Sequence, residues 1–387
     1  MPAIAILRRP SVTSPLASLF PGGASLPIAG IAVLPTPVES LDALARELGI
    51  GRLLVKRDDL TAPTYGGNKV RKLDYLLGKA LAERRTSVIT YGAYGSNHAL
   101  ATAVYARALG LEPHVVLSPQ AVGPFAAATL RAHAGLGTVI HPVDGWDGAP
   151  EGARVSVALT ERDGIEPLDV PMGGTNALGA IGYVNAAIEV VDQLRELNAD
   201  IDAVDLSDYL RPDVIYVAAG TLGTAIGLAV GLAAVEAHTR VVAVRVTPAE
   251  VAAESVAVEL AEKTIALLRS LDDSFPDLAY DDLAFELRDD WFEPGYGVVT
   301  PETIEAVELA AGSGVKLETT YTGKAFAAMV ADAHAGTLTD SQVLFWDTYN
   351  SAPMPAPGDA DTLPPALRDY VAECDRVFPA SRSDPGE

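Results

Sequence analysis

Cysteine is nearly absent: Cys374 stands alone in 387 residues. A single thiol excludes an intramolecular disulfide and any cluster of cysteine metal ligands, and it suits a reducing cytoplasm. Positive charge is scarce as well. Twenty-eight Lys and Arg face 51 Asp and Glu, giving a net charge of -23 and a pI near 4.6. That field repels phosphate backbones, so nucleic acid is not an expected partner. Long apolar runs are missing too. AIGLAVGLAAVEA, among the longest, is too short and too glycine-rich to cross a bilayer, and no membrane partner is expected. The six histidines show neither HExxH nor HxH spacing, which leaves a metal site without support. No GxSxG elbow occurs.

What is present is an ordinary globular composition, 49% hydrophobic and 20% charged, long enough for two or three domain-sized units. The first 23 residues set two arginines beside an apolar patch that prolines and serines interrupt. They read as a wrapping N-terminal arm rather than a secretion signal. Short β-branched runs then alternate with alanine-rich ones. Strands are predicted at 53–56, 87–90, 114–117, 138–140, 214–217, 241–244 and 343–346. Helices are predicted at 69–83, 97–109, 124–135, 177–197, 224–237, 250–269, 301–312 and 323–335. The alternation predicts an α/β fold with open, mostly parallel sheets and helices on both faces. The acidic stretch 198–208 reads as a surface insertion. The terminal ASRSDPGE reads as disordered.

Four clusters carry possible chemistry. Gly66-Gly67-Asn68-Lys69 places a lysine at a predicted helix start, and lysine is rare here, with seven in all. A lysine made to release its proton can form a Schiff base with an aldehyde, and the glycines let backbone approach a flat ligand. Tyr91 to His98 (YGAYGSNH) follows a strand and opens a helix. Ser96 and Asn97 there are either ordinary N-caps, the commoner use of these residues, or N–H donors to a carboxylate. His98 is the one histidine near a cluster. Gly220-Thr221-Leu222-Gly223-Thr224 also joins a buried strand to a helix. It is either a plain tight turn or a phosphate cradle; it lacks both the P-loop ending and the GxGxxG pattern. In Glu318 to Ala325, Tyr321 can stack on a ring and Thr322 can hydrogen-bond a ring nitrogen or simply cap a helix.

Taken in order, GGNKVRKLDYL, GSNHA, PMGGTNALGAIGY, GTLGT and YTGKA resemble the fold-type II pyridoxal-phosphate enzymes. The likeness is greatest to the branch of D-cysteine desulfhydrase and 1-aminocyclopropane-1-carboxylate deaminase, from about residue 34 to 353. The resemblance implies a two-domain, tryptophan synthase β-like fold. Residues 1–84 and 181–387 would form a large cofactor-binding domain and 85–180 a small α/β domain. It implies pyridoxal 5'-phosphate held covalently by Lys69. Asn68, Asn97, Gly220, Thr221, Leu222, Gly223, Thr224 and Thr322 would contact the cofactor. Ser96 and Tyr321 join Lys69 as implied catalytic residues. Ser96, Asn97, His98, Tyr321 and Tyr349 are implied to meet a small amino-acid substrate. Thr322, a neutral partner for the pyridine nitrogen, weakens the ring as an electron sink. It therefore favours α,β-elimination to a keto acid and ammonia over opening of a cyclopropane. The alternatives are that deaminase reaction, a β-replacement or racemisation, or a cofactor-binding protein without activity. Gly95 and Thr348-Tyr349-Asn350 depart from the family's usual residues. A homodimer is the family habit, and the lone cysteine leads us to expect a cytoplasmic enzyme.

Overall fold

The computed structural model describes residues 14–199 and 210–379. Residues 1–13 of the predicted arm, residues 200–208 of the acidic stretch and the terminal ASRSDPGE lie outside the described residues. In chain order the strands are β1 (Val38–Ser40), β2 (Arg52–Arg57), β3 (Ser87–Ala93), β4 (Glu112–Ser118), β5 (Val139–Pro142), β6 (Leu168–Val170), β7 (Val214–Ala219), β8 (Arg240–Arg245), β9 (Phe285–Arg288) and β10 (Gln342–Asp347). The helices are α1 (Pro15–Leu19), α2 (Asp42–Leu48), α3 (Lys69–Ala82), α4 (Asn97–Ala108), α5 (Pro124–Leu136), α6 (Ala149–Asp163), α7 (Ala177–Ala199), α8 (Gly223–Ala234), α9 (Glu254–Leu271), α10 (Pro301–Gly312), α11 (Thr322–His334) and α12 (Pro365–Val377). These described residues divide into two compact units. One comprises 77–174 with 353–379, the other 14–76 with 175–352.

The larger unit holds a six-stranded sheet of order β1-β2-β10-β7-β8-β9, parallel except for the β1–β2 edge pair. Its central strands are apolar on both faces, as buried parallel strands must be. On β10, Leu344 and Trp346 face a core built with α7, α8 and α9, whereas Val343 and Phe345 face one built with α2, α10 and α11. Helices α7 and α8 touch backbone to side chain. A Cβ on Gly227 would lie 2.4 Å from the Ala180 carbonyl oxygen, so only glycine permits that approach.

The smaller unit carries the parallel sheet β5-β4-β3-β6. Val115 and Leu117 of β4 pack with α4, α5 and α12, and Ile89 and Val116 pack with Val155 and Leu159 of α6. The sequence reading places 353–387 with the large domain. Leu367, Val371 and Cys374 of α12 instead join the core of the smaller unit, beside Leu130. No helix among the described residues is long and apolar enough to cross a membrane.

Candidate active site

Lys69 opens α3 directly after Gly66, Gly67 and Asn68. Gly67 has a φ of +90°, which a side chain opposes. A Cβ there would also sit 2.8 Å from the Thr348 carbonyl oxygen. The turn therefore lies against the carboxyl end of β10, where parallel sheets place their ligands. Three bonds fasten it. Gly67 N–H donates to Asp58 O at 3.0 Å, Asn68 N–H to Thr348 O at 3.1 Å, and Gly66 N–H to Asn350 Oδ1 at 2.7 Å. Asn350 is thus a staple for the glycine turn. Asp347, which ends β10, accepts from Tyr349 N–H at 3.1 Å, and burial beside the Asp59 charge pushes its carboxyl well above the usual range.

Two residues on, Arg71 points to roughly the opposite side of the helix. It donates to Asp58 at 2.9 and 2.8 Å and to Glu189 at 3.0 and 2.8 Å. Lys56 reaches Glu189 at 2.6 Å, and Tyr183 and Trp346 each donate to Asp58 at 2.8 Å. Burial pushes both carboxyls up, but Arg71 and Lys56 outweigh it and hold them below their ordinary range. Two cations and two carboxylates balance, and the rotation of α3, hence the direction of Lys69, is fixed.

Lys69 Nζ donates to Asn68 Oδ1 at 2.7 Å, and Asn68 Nδ2 donates to Thr224 Oγ1 at 2.9 Å. Burial lowers the Lys69 ammonium to about 8, against a smaller raising pull from Glu318. The Gly220–Thr224 turn opens α8, with Leu222 left-handed at φ +65°. Its surroundings are cationic and hydroxylic. Thr175 Oγ1 lies 2.6 Å from Thr221 Oγ1, and Lys72 Nζ donates to Thr175 at 3.3 Å. Burial, and then the Lys69 charge, push Lys72 well below its usual value. Gly223 leaves the hollow between them open. A Cβ there would stand 2.6 Å from Thr175 Oγ1 and 2.9 Å from Lys72 Nζ.

Tyr321 flanks the same turn, its ring 3.4 Å from where a Gly220 Cβ would be. Its hydroxyl pairs with that of Tyr296 at 2.5 Å, and burial followed by the Tyr296 neighbour pushes Tyr321 well above 10. Thr322 begins α11 and is buried. Its Oγ1 accepts from Glu318 N–H at 3.0 Å and lies 3.3 Å from Glu318 Oε1. The Tyr349 ring lies 5.4 Å from Lys316 Nζ.

Ser96, Asn97 and His98 belong to the smaller unit. Ser96 caps α4, its Oγ accepting from Ala99 N–H at 3.2 Å, and Asn97 is the first helical residue. His98 is turned into that unit, with Nε2 2.9 Å from Thr90 Oγ1, whose own proton goes to Val170 O. Sequence reasoning missed Lys72, Thr175, Glu318 and Tyr296. Lys72 was legible as the i+3 neighbour of Lys69 on one helix face. Tyr296 had no local signal, because its loop meets Tyr321 only through the fold.

The larger unit thus contains a half-buried lysine of lowered proton affinity, joined through Asn68 to a glycine-turn cradle lined by a second lysine and three threonines. That set suits an aldehyde carrying a phosphate. Pyridoxal phosphate fits it: Gly223 keeps clear the space between Thr175 Oγ1 and Lys72 Nζ, and a phosphate there would favour the charged form of Lys72 that burial opposes. A family profile described as "Pyridoxal-phosphate dependent enzyme" matches residues 31–348. D-cysteine desulfhydrase of Salmonella typhi is 37% identical over 76% of this chain and 85% of its own. That of Klebsiella pneumoniae (strain 342) is 36% identical with the same coverage. A crystal structure of an ACC deaminase homologue superposes with a TM-score of 0.71, 27% identity and coverage of 94% of this chain and all of that one. The chain belongs to the pyridoxal-phosphate dependent enzyme family.

Proposed function

We propose that this enzyme is a lyase that eliminates a β-substituent from a small amino acid, with D-cysteine the first substrate to test. The observation that carries the reading is Lys69, brought by burial to about 8 and bonded through Asn68 to Thr224 of the cradle. Lys69 would hold the cofactor covalently. Lys72, Thr175, Thr221 and the first N–H groups of α8 would bind its phosphate, and Thr322 would meet its ring nitrogen. Bound pyridoxal phosphate supplies a ring that accepts negative charge from the substrate's α-carbon.

The remaining steps belong to protein groups. Lys69 Nζ, when its amine is free, would take the substrate's α-proton. The Tyr296–Tyr321 pair, kept protonated by burial, supplies a proton to the departing β-substituent. Ser96 and Asn97 have the hydroxyl and helix-terminal N–H groups that bind a carboxylate, while His98 supports α4. Tyr349 bears on which side chain is accepted. We place the enzyme in the cytoplasm as a homodimer, in keeping with its lone cysteine and the family habit.

Purified protein loaded with pyridoxal phosphate is expected to convert D-cysteine to pyruvate, sulfide and ammonia. No keto acid from D-cysteine or β-chloro-D-alanine would refute elimination. The likeness to an ACC deaminase homologue favours one second reading; 2-oxobutyrate from 1-aminocyclopropane-1-carboxylate would establish it.

A further inference from the structure

Lys324 is the third residue of α11 and only 1% exposed. A lysine there is disfavoured twice. Burial strips its ammonium of water, and the first turn of a helix repels a cation. What meets it is backbone. Nζ donates to Phe292 O at 3.0 Å and to Gly295 O at 3.2 Å, and it lies 6.0 Å from the centre of the Phe292 ring. Arg245, which ends β8, holds its guanidinium carbon 5.8 Å from the same ring and Nη2 3.4 Å from Asp289. Arg288, which ends β9, donates to Asp290 at 2.6 Å. The loop that leaves β9 is therefore tied to the sheet at its start and to α11 further along. Tyr296 follows directly on the second clasped carbonyl, and its hydroxyl meets that of Tyr321, the residue before α11, at 2.5 Å. An ammonium and a phenol thus bind one loop to one helix start.

We propose that Lys324 is a positioning residue for the reaction: its ammonium clasps the backbone at Phe292 and Gly295 and so holds the Tyr296 hydroxyl on that of Tyr321. The inference rests on the reading that this tyrosine pair gives a proton to the departing β-substituent. An ammonium suits the task. It is a compact charge with three rotatable donors, which two carbonyls of one loop can share, and bonds from a charged donor are stronger than neutral ones. The Phe292 ring between two cations adds a second hold on the same segment. Without the ammonium, both carbonyls lose their donor, and nothing else bonds the backbone beside Tyr296 to α11 as closely.

The test uses two variants of the full chain loaded with pyridoxal phosphate. Lys324→Met keeps an unbranched stem and removes the donors. A phenol displaced by about 1 Å should lower kcat for D-cysteine about 100-fold, while KM and cofactor affinity stay near their wild-type values. Amide hydrogen exchange should quicken in residues 289–299 and stay slow in β7 and β8. Lys324→Ala leaves space for the part of the side chain it removes. Propylammonium should then restore both kcat and slow exchange in 289–299, whereas 1-propanol, of the same shape without the charge, should restore neither. Wild-type kcat in Lys324→Met, equal rescue by propanol, or quickened exchange throughout α11 and the sheet would make Lys324 a packing residue and overturn the inference. If wild type turns over no D-cysteine, the proposed function fails instead, and exchange in 289–299 with the two additives still decides whether the clasp exists.

Discussion

Gly223→Ala isolates the anion cradle. Glycine 223 has no left-handed backbone to protect, so the added methyl acts by volume alone. Its Cβ would stand 2.6 Å from Thr175 Oγ1 and 2.9 Å from Lys72 Nζ, below any real contact distance, so one or both side chains must move. Those two groups would otherwise direct a charge and a hydroxyl at the phosphate. A hydrogen bond to a charged group is worth roughly 1.5–3 kcal/mol. Losing one, with part of the second, should weaken cofactor binding by about 2–4 kcal/mol, or about 30- to 1,000-fold in Kd. Gly220→Ala is the internal control. Its Cβ meets nothing closer than the Tyr321 ring at 3.4 Å, an ordinary contact. Equilibrium titration of both variants with pyridoxal phosphate, read by absorbance, gives the two constants. Equal, wild-type affinity in both would refute the placement of the phosphate in this cradle.

Removing one partner of the buried charge network leaves an uncompensated ion. Glu189→Gln should lower stability by roughly 3–5 kcal/mol in a denaturant titration. Tyr296→Phe deprives Tyr321 of its hydroxyl partner; kcat should fall by about 100-fold while cofactor affinity stays at the wild-type value. Gly227→Ala forces α7 and α8 apart and should cost about 1–3 kcal/mol of stability, read as a lower melting temperature. With Lys69 near 8, the attachment rate of cofactor should rise with pH, because only the neutral amine attacks, and flatten above pH 8. A rate that falls from pH 6 to 8 would contradict that sign.

Much of the fold was legible because its central strands are continuous apolar runs and its long helices are alanine-rich. The seven predicted strands and eight predicted helices all stand within a few residues of their places. The elements missed lack that signal. β1 and β6 have three residues each, and β9 is half-buried throughout. α1 has only five residues, α2 follows Leu41, which makes no side-chain cap, and α6 and α12 mix polar and apolar residues, α12 burying only Leu367, Val371 and Cys374. The site divides in the same way. The glycine turns around Lys69 and Gly223 announce themselves because close backbone approach demands a residue type. Glu318 and Tyr296 do not, because their meaning comes from what the chain folds next to them. Asn350, conspicuous as a departure from the family pattern, proves to be a staple on Gly66.

Lys69 is half-buried and Lys72 fully buried, and loss of hydration lowers the proton affinity of both, so proton affinity does not choose the nucleophile between them. The account assigns Lys72 to the anion and Lys69 to the aldehyde. Borohydride reduction of the pyridoxal-phosphate-loaded protein, followed by peptide mapping, separates the two. A pyridoxyl mark on Lys69 is the predicted result; a mark on Lys72, or none at all, would contradict it.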